Sequence, residues 1–94
     1  MSELVIEPET LEGGGVRLRL GGVLDGNGAH LLRNRIAELD GPVAVDFSRL
    51  ERLSDFGLGV LAMGLVEMRN DVQLLGLGHH AQRILRAFGV ANAA

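Results

Sequence analysis

The sequence contains no cysteine, tryptophan, tyrosine or lysine, and only three phenylalanines. Without cysteine, neither a disulfide framework nor a thiolate metal site can form. Without lysine, a Walker-type phosphate loop is excluded. Because aromatic residues are scarce, the hydrophobic core has to be built from Leu, Val, Ile and Ala.

Positive charge is also in short supply. Nine arginines face twelve acidic residues, which gives a formal net charge of −3. Nucleic acids and anionic membrane surfaces both require basic patches, so we expect neither as a partner. No basic flank and long apolar run mark a signal peptide, and no stretch approaches the ~20 apolar residues that span a bilayer. We therefore expect a cytoplasmic protein without direct membrane insertion.

The chain is short enough for a single domain. It has 94 residues, of which 47% are hydrophobic, so a true core can form. We expect residues 1–94 to form one domain, with residues 91–94 as a frayed tail.

Hydrophobic periodicity predicts an α/β fold with the order β-β-α-β-α-β-α. Strands are predicted at 4–6, 16–20, 43–47 and 72–75, and helices at 29–39, 55–69 and 79–88. The remaining segments are predicted as a glycine turn at 13–15, a loop at 21–28 and a connection at 48–53. Asn27, within the loop, is predicted to cap the helix that follows. Strands separated by helices must lie parallel. The prediction is a mixed sheet with helices on one or both faces.

The second helix has two apolar sides. Leu58, Leu61 and Leu65 lie on one side at helical spacing, whereas Phe56, Val60 and Met63 lie on roughly the opposite side. Either both sides are buried, with the C-terminal tail over the second, or the second side is an exposed patch for a partner. Phe and Met are residues that binding surfaces favour.

The start of this helix carries polar side chains. Ser54 is placed to cap the helix, and Asp55 puts a carboxylate at the positive end of its dipole. The same position would favour a phosphate on Ser54, which makes Ser54 a candidate phosphorylation site.

These residues resemble the central motif of STAS domains. Val-Asp-Phe-Ser at 45–48 and Leu-Ser-Asp-Phe-Gly-Leu-Gly at 53–59 are similar to the family's strand ending in Asp-Leu/Phe-Ser and its Asp-Ser-Ser/Thr-Gly-Leu-Gly helix start. The stretch 18–25 resembles the family's Leu-x-Gly-x-Leu-Asp, and the resemblance covers residues 16–90. It implies a STAS-like sheet with interleaved helices.

The best-known members of that family are bacterial anti-sigma-factor antagonists. They bind an anti-sigma factor that is also a kinase, and phosphorylation of a serine at the helix start breaks the complex. Aligning Gly57 with the motif glycine places Phe56 at the phosphoacceptor position, so the usual serine is missing. The resemblance therefore implies a transcription-regulating partner-switching module whose switch is lost.

The resemblance also implies a partner-binding surface. Asp25 matches a family aspartate near the phosphoacceptor, although a turn residue beside glycine is an equally good interpretation. The expected surface consists of Asp25, Ser54, Asp55, Phe56, Gly57, Val60 and Met63.

Three functions stay open at this point. The first is a non-enzymatic module that binds an anti-sigma factor or a kinase-like protein. The second is a STAS subunit of a bacterial phospholipid-transport ABC complex that binds the ATPase constitutively, and the third is a small-molecule- or nucleotide-sensing regulatory domain. A homodimer is left open. No residue pattern predicts a catalytic site, a metal site or a cofactor.

Overall fold

The computed structural model describes residues 3–68 and 71–90. Its seven elements follow the predicted order β-β-α-β-α-β-α. The strands are β1 (Leu4–Thr10), β2 (Val16–Leu24), β3 (Val43–Leu53) and β4 (Val72–Leu75), and the helices are α1 (Gly26–Ala37), α2 (Asp55–Glu67) and α3 (His79–Ala87). The predicted end of α2 at residue 69 and the predicted tail at 91–94 lie outside the described residues.

The strands form one mixed sheet in the order β1-β2-β3-β4. β1 and β2 form an antiparallel hairpin about the predicted glycine turn, whereas β2 with β3 and β3 with β4 are parallel. Three glycines make the hairpin turn, and all have positive φ angles, from 82° to 97°. That backbone region favours glycine, because a side chain there would clash with its own backbone.

All three helices cover the same face of the sheet. Along β2, Leu18 and Leu20 are buried, whereas Arg17 and Arg19 are only half-buried. Alternate residues of a strand point to opposite faces, so only the leucine face is covered. On the opposite face, Arg17 pairs with Glu9 of β1 at 3.2 Å. Of the two predicted arrangements, helices on one face is therefore the observed one.

The core lies between that sheet face and the helices, and it is almost entirely aliphatic. Among the described residues, Phe47 is its only aromatic member and no polar side chain is fully buried. Its largest fully buried side chains are Leu18, Leu20, Leu24, Leu32, Ile36, Leu58, Leu61, Leu74, Leu85, Val43 and Val45.

The first hairpin strand is longer than predicted. β1 continues through Pro8 to Thr10, whereas the predicted strand covered only residues 4–6. β1 lies at an edge of the sheet and pairs only with β2. An edge strand tolerates proline, because the position of its missing N–H can face solvent.

The predicted loop at 21–28 is wrong, because β2 runs to Leu24 and α1 begins at Gly26. Leu24 is fully buried and pairs with Leu53 of β3, which holds it in the sheet. The ladder accommodates the two preceding glycines through shifts in register near Gly21 and Gly22. The helix cap is therefore Asp25 rather than Asn27.

The predicted connection at 48–53 is also wrong, because β3 extends to Leu53. Its second half pairs with the extended second half of β2. Since both strands are longer than the sequence indicated, they end side by side. The starts of α1 and α2 consequently meet at one corner of the molecule.

Helices α1 and α2 approach each other closely near the C-terminal end of α2. A Cβ atom added at Gly64 would lie 2.6 Å from Cδ of Arg33, so the aliphatic stem of that arginine crosses the glycine.

The last helix ends at Ala87, one residue before the prediction, and Gly89 follows with a φ of +95°. Among the helices of the described residues, none has the length and apolarity that a bilayer crossing requires.

Asp46 of β3 has a structural role. Its carboxylate accepts a hydrogen bond from the backbone N–H of Ser48 at 2.9 Å. The Ser48 hydroxyl and then the Ser48 N–H stabilise the charged form and hold the pKa of Asp46 below its ordinary value of 3.8, with help from Arg19 and Arg17. The neighbouring loop is close as well, since a Cβ at Gly76 would lie 3.1 Å from this carboxylate.

We predict that Asp46→Asn flattens the pH dependence of stability in acid. A lowered folded-state pKa means that the carboxylate stabilises the fold above pH ~4 and that this contribution is lost as the pH falls through the folded pKa. The free energy of unfolding in urea, measured at pH 7 and about pH 3, should therefore fall less for Asp46→Asn than for wild type. Asp40→Asn, at an exposed carboxylate, is the control. Equal pH dependence of the Asp46 variant and wild type would contradict the prediction.

Candidate functional site

The candidate site lies where the first turn of α2 meets the junction between β2 and α1. The backbone N–H of Ser54 donates to the carbonyl oxygen of Leu24 at 3.0 Å and ties the two segments together. A Cβ at Gly57 would lie 2.8 Å from that same oxygen and 2.9 Å from the carbonyl carbon and oxygen of Asp25. Only glycine lets the helix approach this backbone so closely.

Two side chains at this corner cap the two helices. Ser54 Oγ accepts a hydrogen bond from the N–H of Gly57 at 2.9 Å, as the sequence predicted. One carboxylate oxygen of Asp25 accepts from the N–H of Gly28 at 2.8 Å. Each cap satisfies a backbone donor that has no partner within its helix. Both polar side chains therefore stabilise the helix starts at the site.

Phe56 is the most exposed large hydrophobic residue among the described residues, with 74% of its surface accessible. Its ring lies against the start of α1, because a Cβ added at Gly26 would lie 2.7 Å and 2.9 Å from two ring carbons. The ring therefore covers the gap between the two helix starts while its outer face remains in solvent. A phenylalanine in this position exposes apolar surface that folding does not bury.

Asp55 points toward the start of α3. Its carboxylate lies 3.0 Å from Nε2 of His80, and both side chains are largely exposed. An exposed pair of this kind contributes little to stability. It nevertheless shows that the starts of α2 and α3 lie close together.

The two-sided character of α2 is observed directly. On one side, Leu58 and Leu61 are buried in the core. On the other side, Met63 is 59% exposed and Val60 is half-buried. The interpretation in which both sides of the helix are buried is therefore wrong for Phe56 and Met63.

The structure brings most of the predicted site residues together. Asp25, Ser54, Asp55, Phe56 and Gly57 converge at the corner between α1 and α2. The other two predicted residues, on the exposed side of α2, follow along the helix one and two turns later.

Four residues next to the site were missed. Val66 and Phe88 extend the exposed apolar surface, Gly26 supports the Phe56 ring, and His80 contacts Asp55. Val66 could have been found, since it lies three residues after Met63 and continues the same helical side. The other three depend on contacts between elements distant in sequence, which periodicity does not indicate.

The titratable groups are dispersed. Over residues 3–68 and 71–90, no three His, Asp or Glu side chains come together to hold a metal ion. Asp46, with its lowered pKa, lies on the opposite, uncovered face of the sheet. At the corner itself the polar groups are Ser54 and Asp25, which cap helices, and the Asp55–His80 pair. The prominent feature of the site is therefore an apolar surface bordered by carboxylates.

Comparison with known proteins identifies similar domains. A family model described as "Mlab, STAS domain" matches residues 9–93. Among solved structures, the anti-sigma factor antagonist SpoIIAA in its unphosphorylated form is similar with a TM-score of 0.67 and 18% identity, covering 95% of this chain and 84% of that chain. An antisigma-factor antagonist STAS domain from Rhodobacter sphaeroides gives 0.60 and 19%, covering 78% and 86%. No curated protein sequence matches the chain. At these identities the solved structures show a shared fold.

We predict that Gly57→Ala destabilises the protein although alanine favours helix. The new methyl group would press on the backbone of Leu24 and Asp25, which cannot move aside as a flexible side chain would. We expect a loss of about 1–3 kcal/mol in the free energy of unfolding. Gly59→Ala is the matched control, because its Cβ would meet only the Phe88 ring at an ordinary 3.6 Å. That variant should gain up to ~1 kcal/mol.

Urea unfolding followed by circular dichroism measures both variants. A Gly57→Ala protein that is as stable as wild type would show that α2 does not depend on this close approach.

Proposed function

The chain belongs to the STAS domain family, and from this we propose that it is a non-enzymatic module that binds a partner protein through the first half of α2. The observation that carries the proposal is Phe56, a large aromatic side chain held in solvent at the corner between α1 and α2. Aromatic residues and methionine are enriched in protein interfaces, and a few such residues supply most of the binding energy.

The residues around Phe56 have the composition of a binding surface. Met63 lies on the same side of α2, and half-buried Val60 lies between them. Asp25 and Asp55 border the aromatic ring with carboxylates. An apolar centre with a polar rim is the usual composition of an interface between proteins.

The proposed complex is permanent rather than phosphorylation-dependent. Phe56 stands where STAS domains of the switching kind carry their serine, and a phenylalanine has no hydroxyl group to phosphorylate. The adjacent hydroxyl, on Ser54, is half-buried and accepts the hydrogen bond that caps α2. Since an apolar contact does not change with a phosphate cycle, the affinity for the partner stays constant.

Two partner classes follow from the family. The first is an anti-sigma factor or kinase-like protein, as for the antagonists whose fold the chain shares, with a role in bacterial transcription regulation. The second is the ATPase subunit of a phospholipid-transport ABC complex. The fixed apolar contact at Phe56 favours this second class, because a constitutive subunit needs no switch.

In this role the domain carries out no catalytic step and acts in the cytoplasm. The polar groups at the corner have structural partners, since Ser54 and Asp25 cap helices and Asp55 lies against His80. A net charge of −3 is consistent with a protein partner rather than a nucleic acid.

We predict that Phe56→Asp abolishes partner binding and leaves the fold intact. Phe56 is mostly exposed, so the change in unfolding free energy should stay below ~1 kcal/mol. Affinity should fall at least about tenfold, because a buried carboxylate in an apolar interface is unfavourable. The tagged protein is used to isolate partners from its cell of origin, the partners are identified by mass spectrometry, and binding is then measured with the purified partner.

Leu31→Asp is the matched control, since Leu31 lies on α1 and is 59% exposed. It should bind the partner as wild type does. If Phe56→Asp binds normally, the proposed surface is incorrect. If Phe56→Asp does not fold, the ring is a structural element rather than a contact. An anti-sigma factor or an ATPase subunit among the partners distinguishes the two classes.

We also predict that the protein acquires no stoichiometric phosphate. It is incubated with ATP and lysate from its cell of origin, and its intact mass is measured, with Ser54→Ala treated in parallel. Wild type and variant should both remain unmodified. A full phosphate on wild type that is absent from Ser54→Ala would show that a switch survives at the neighbouring position.

A further inference from the structure

The exposed apolar surface of α2 extends well beyond the first half of the helix. Six large hydrophobic residues are exposed among the described residues, and four of them lie on α2 and at the end of α3. We call these four the apolar strip: Phe56, Met63, Val66 and Phe88. The three members on α2 are seven and three residues apart, which keeps them on one side of the helix.

Phe88 joins the strip through two glycines. A Cβ at Gly59 would lie at an ordinary contact distance of 3.6 Å from the tip of the Phe88 ring, so the ring faces α2 at that point. A Cβ at Gly89 would lie 3.7 Å from Val66. The end of α3 therefore lies beside α2, and Phe88 borders the exposed residues of that helix.

We propose that the apolar strip docks an amphipathic, basic helix of the partner protein. This inference rests on the proposed function and names the chemistry of the partner at the same site. Phe56 and Val66 are ten residues apart, which is ~15 Å along the helix and corresponds to about three turns of a docked helix. The backbone hydrogen bonds of α2 are used within the helix, so the strip binds through side chains, as a helix-in-groove contact does.

The carboxylates at the two ends of α2 favour a basic partner on that helix, although α3 carries two exposed arginines. Asp55 is the first residue of α2, Glu67 is the last, and α2 contains no lysine or arginine. Asp25 adds a further exposed carboxylate beside Phe56. A docked helix with apolar residues along one side and arginine or lysine at both ends of that side complements this arrangement.

The test uses designed peptides of about fourteen residues as probes. One carries leucines at helical spacing with arginines at both ends of the same side, a second replaces the arginines with glutamates, and a third has the composition of the first in scrambled order. Binding to the full protein is measured by fluorescence anisotropy. The third peptide controls for charge attraction alone, because it has the same net charge without the apolar side.

The arginine-ended peptide should bind, and its affinity should fall at least about tenfold for Met63→Asp and Val66→Asp. Glu67→Gln should lower the affinity for this peptide a few-fold and make the binding less dependent on salt concentration. Leu31→Asp, whose exposure matches that of Met63, should leave it unchanged. Val66→Ser provides a milder variant, and circular dichroism confirms that each variant folds.

Several results would overturn the inference. They are a lack of binding by the arginine-ended peptide, equal binding by the glutamate-ended or scrambled peptide, and unchanged affinity in folded Val66→Ser and Val66→Asp proteins. A wild-type dimer in sedimentation velocity that Val66→Asp dissociates would show that a second copy covers the strip. If Phe56→Asp abolishes partner binding while no peptide binds, the inference fails and the proposed function stands. If Phe56→Asp retains its partner, the proposed function itself fails.

Discussion

The close approach of α2 to the β2–α1 junction is the contact on which the rest of the structure depends. Gly57 permits it, and the hydrogen bond from Ser54 to Leu24 holds it in place. This contact packs together two helices whose preceding strands end side by side at one corner of the sheet. Their capping side chains, and the phenylalanine between them, are consequently neighbours. A methyl group added at Gly57 would clash with the backbone of Leu24 and Asp25 and so weaken this contact.

Local sequence predicted the elements that depend on local interactions. The order of strands and helices, the glycine turn of the hairpin and the Ser54 cap could all be predicted, because each depends on residues close in sequence. The lengths of β2 and β3 could not be predicted, since each strand is extended by pairing with the other. The Asp25 cap was missed for the same reason, because Leu24 stays in the sheet only through its pairing with Leu53.

The candidate site also combines features that the local sequence predicted with features that depend on contacts between distant residues. The two-sided character of α2 followed from helical spacing, and the exposure of Phe56 and Met63 agrees with it. The support of the Phe56 ring by Gly26 and the contact of Phe88 with Gly59 could not be found this way. Both join residues about thirty positions apart, and glycine has no side chain whose hydrophobicity would reveal a packing site. Glycines that accept an aromatic ring from another element are visible only in three dimensions.

The contact between Phe56 and Gly26 also affects the entropy of binding. A free aromatic side chain on a surface samples several rotamers and loses that freedom when a partner immobilises it. Here the Phe56 ring already packs against the backbone of Gly26 in the absence of a partner. Part of the entropic cost of ordering this ring is therefore incurred on folding rather than on binding, and the ring can act as a rigid anchor.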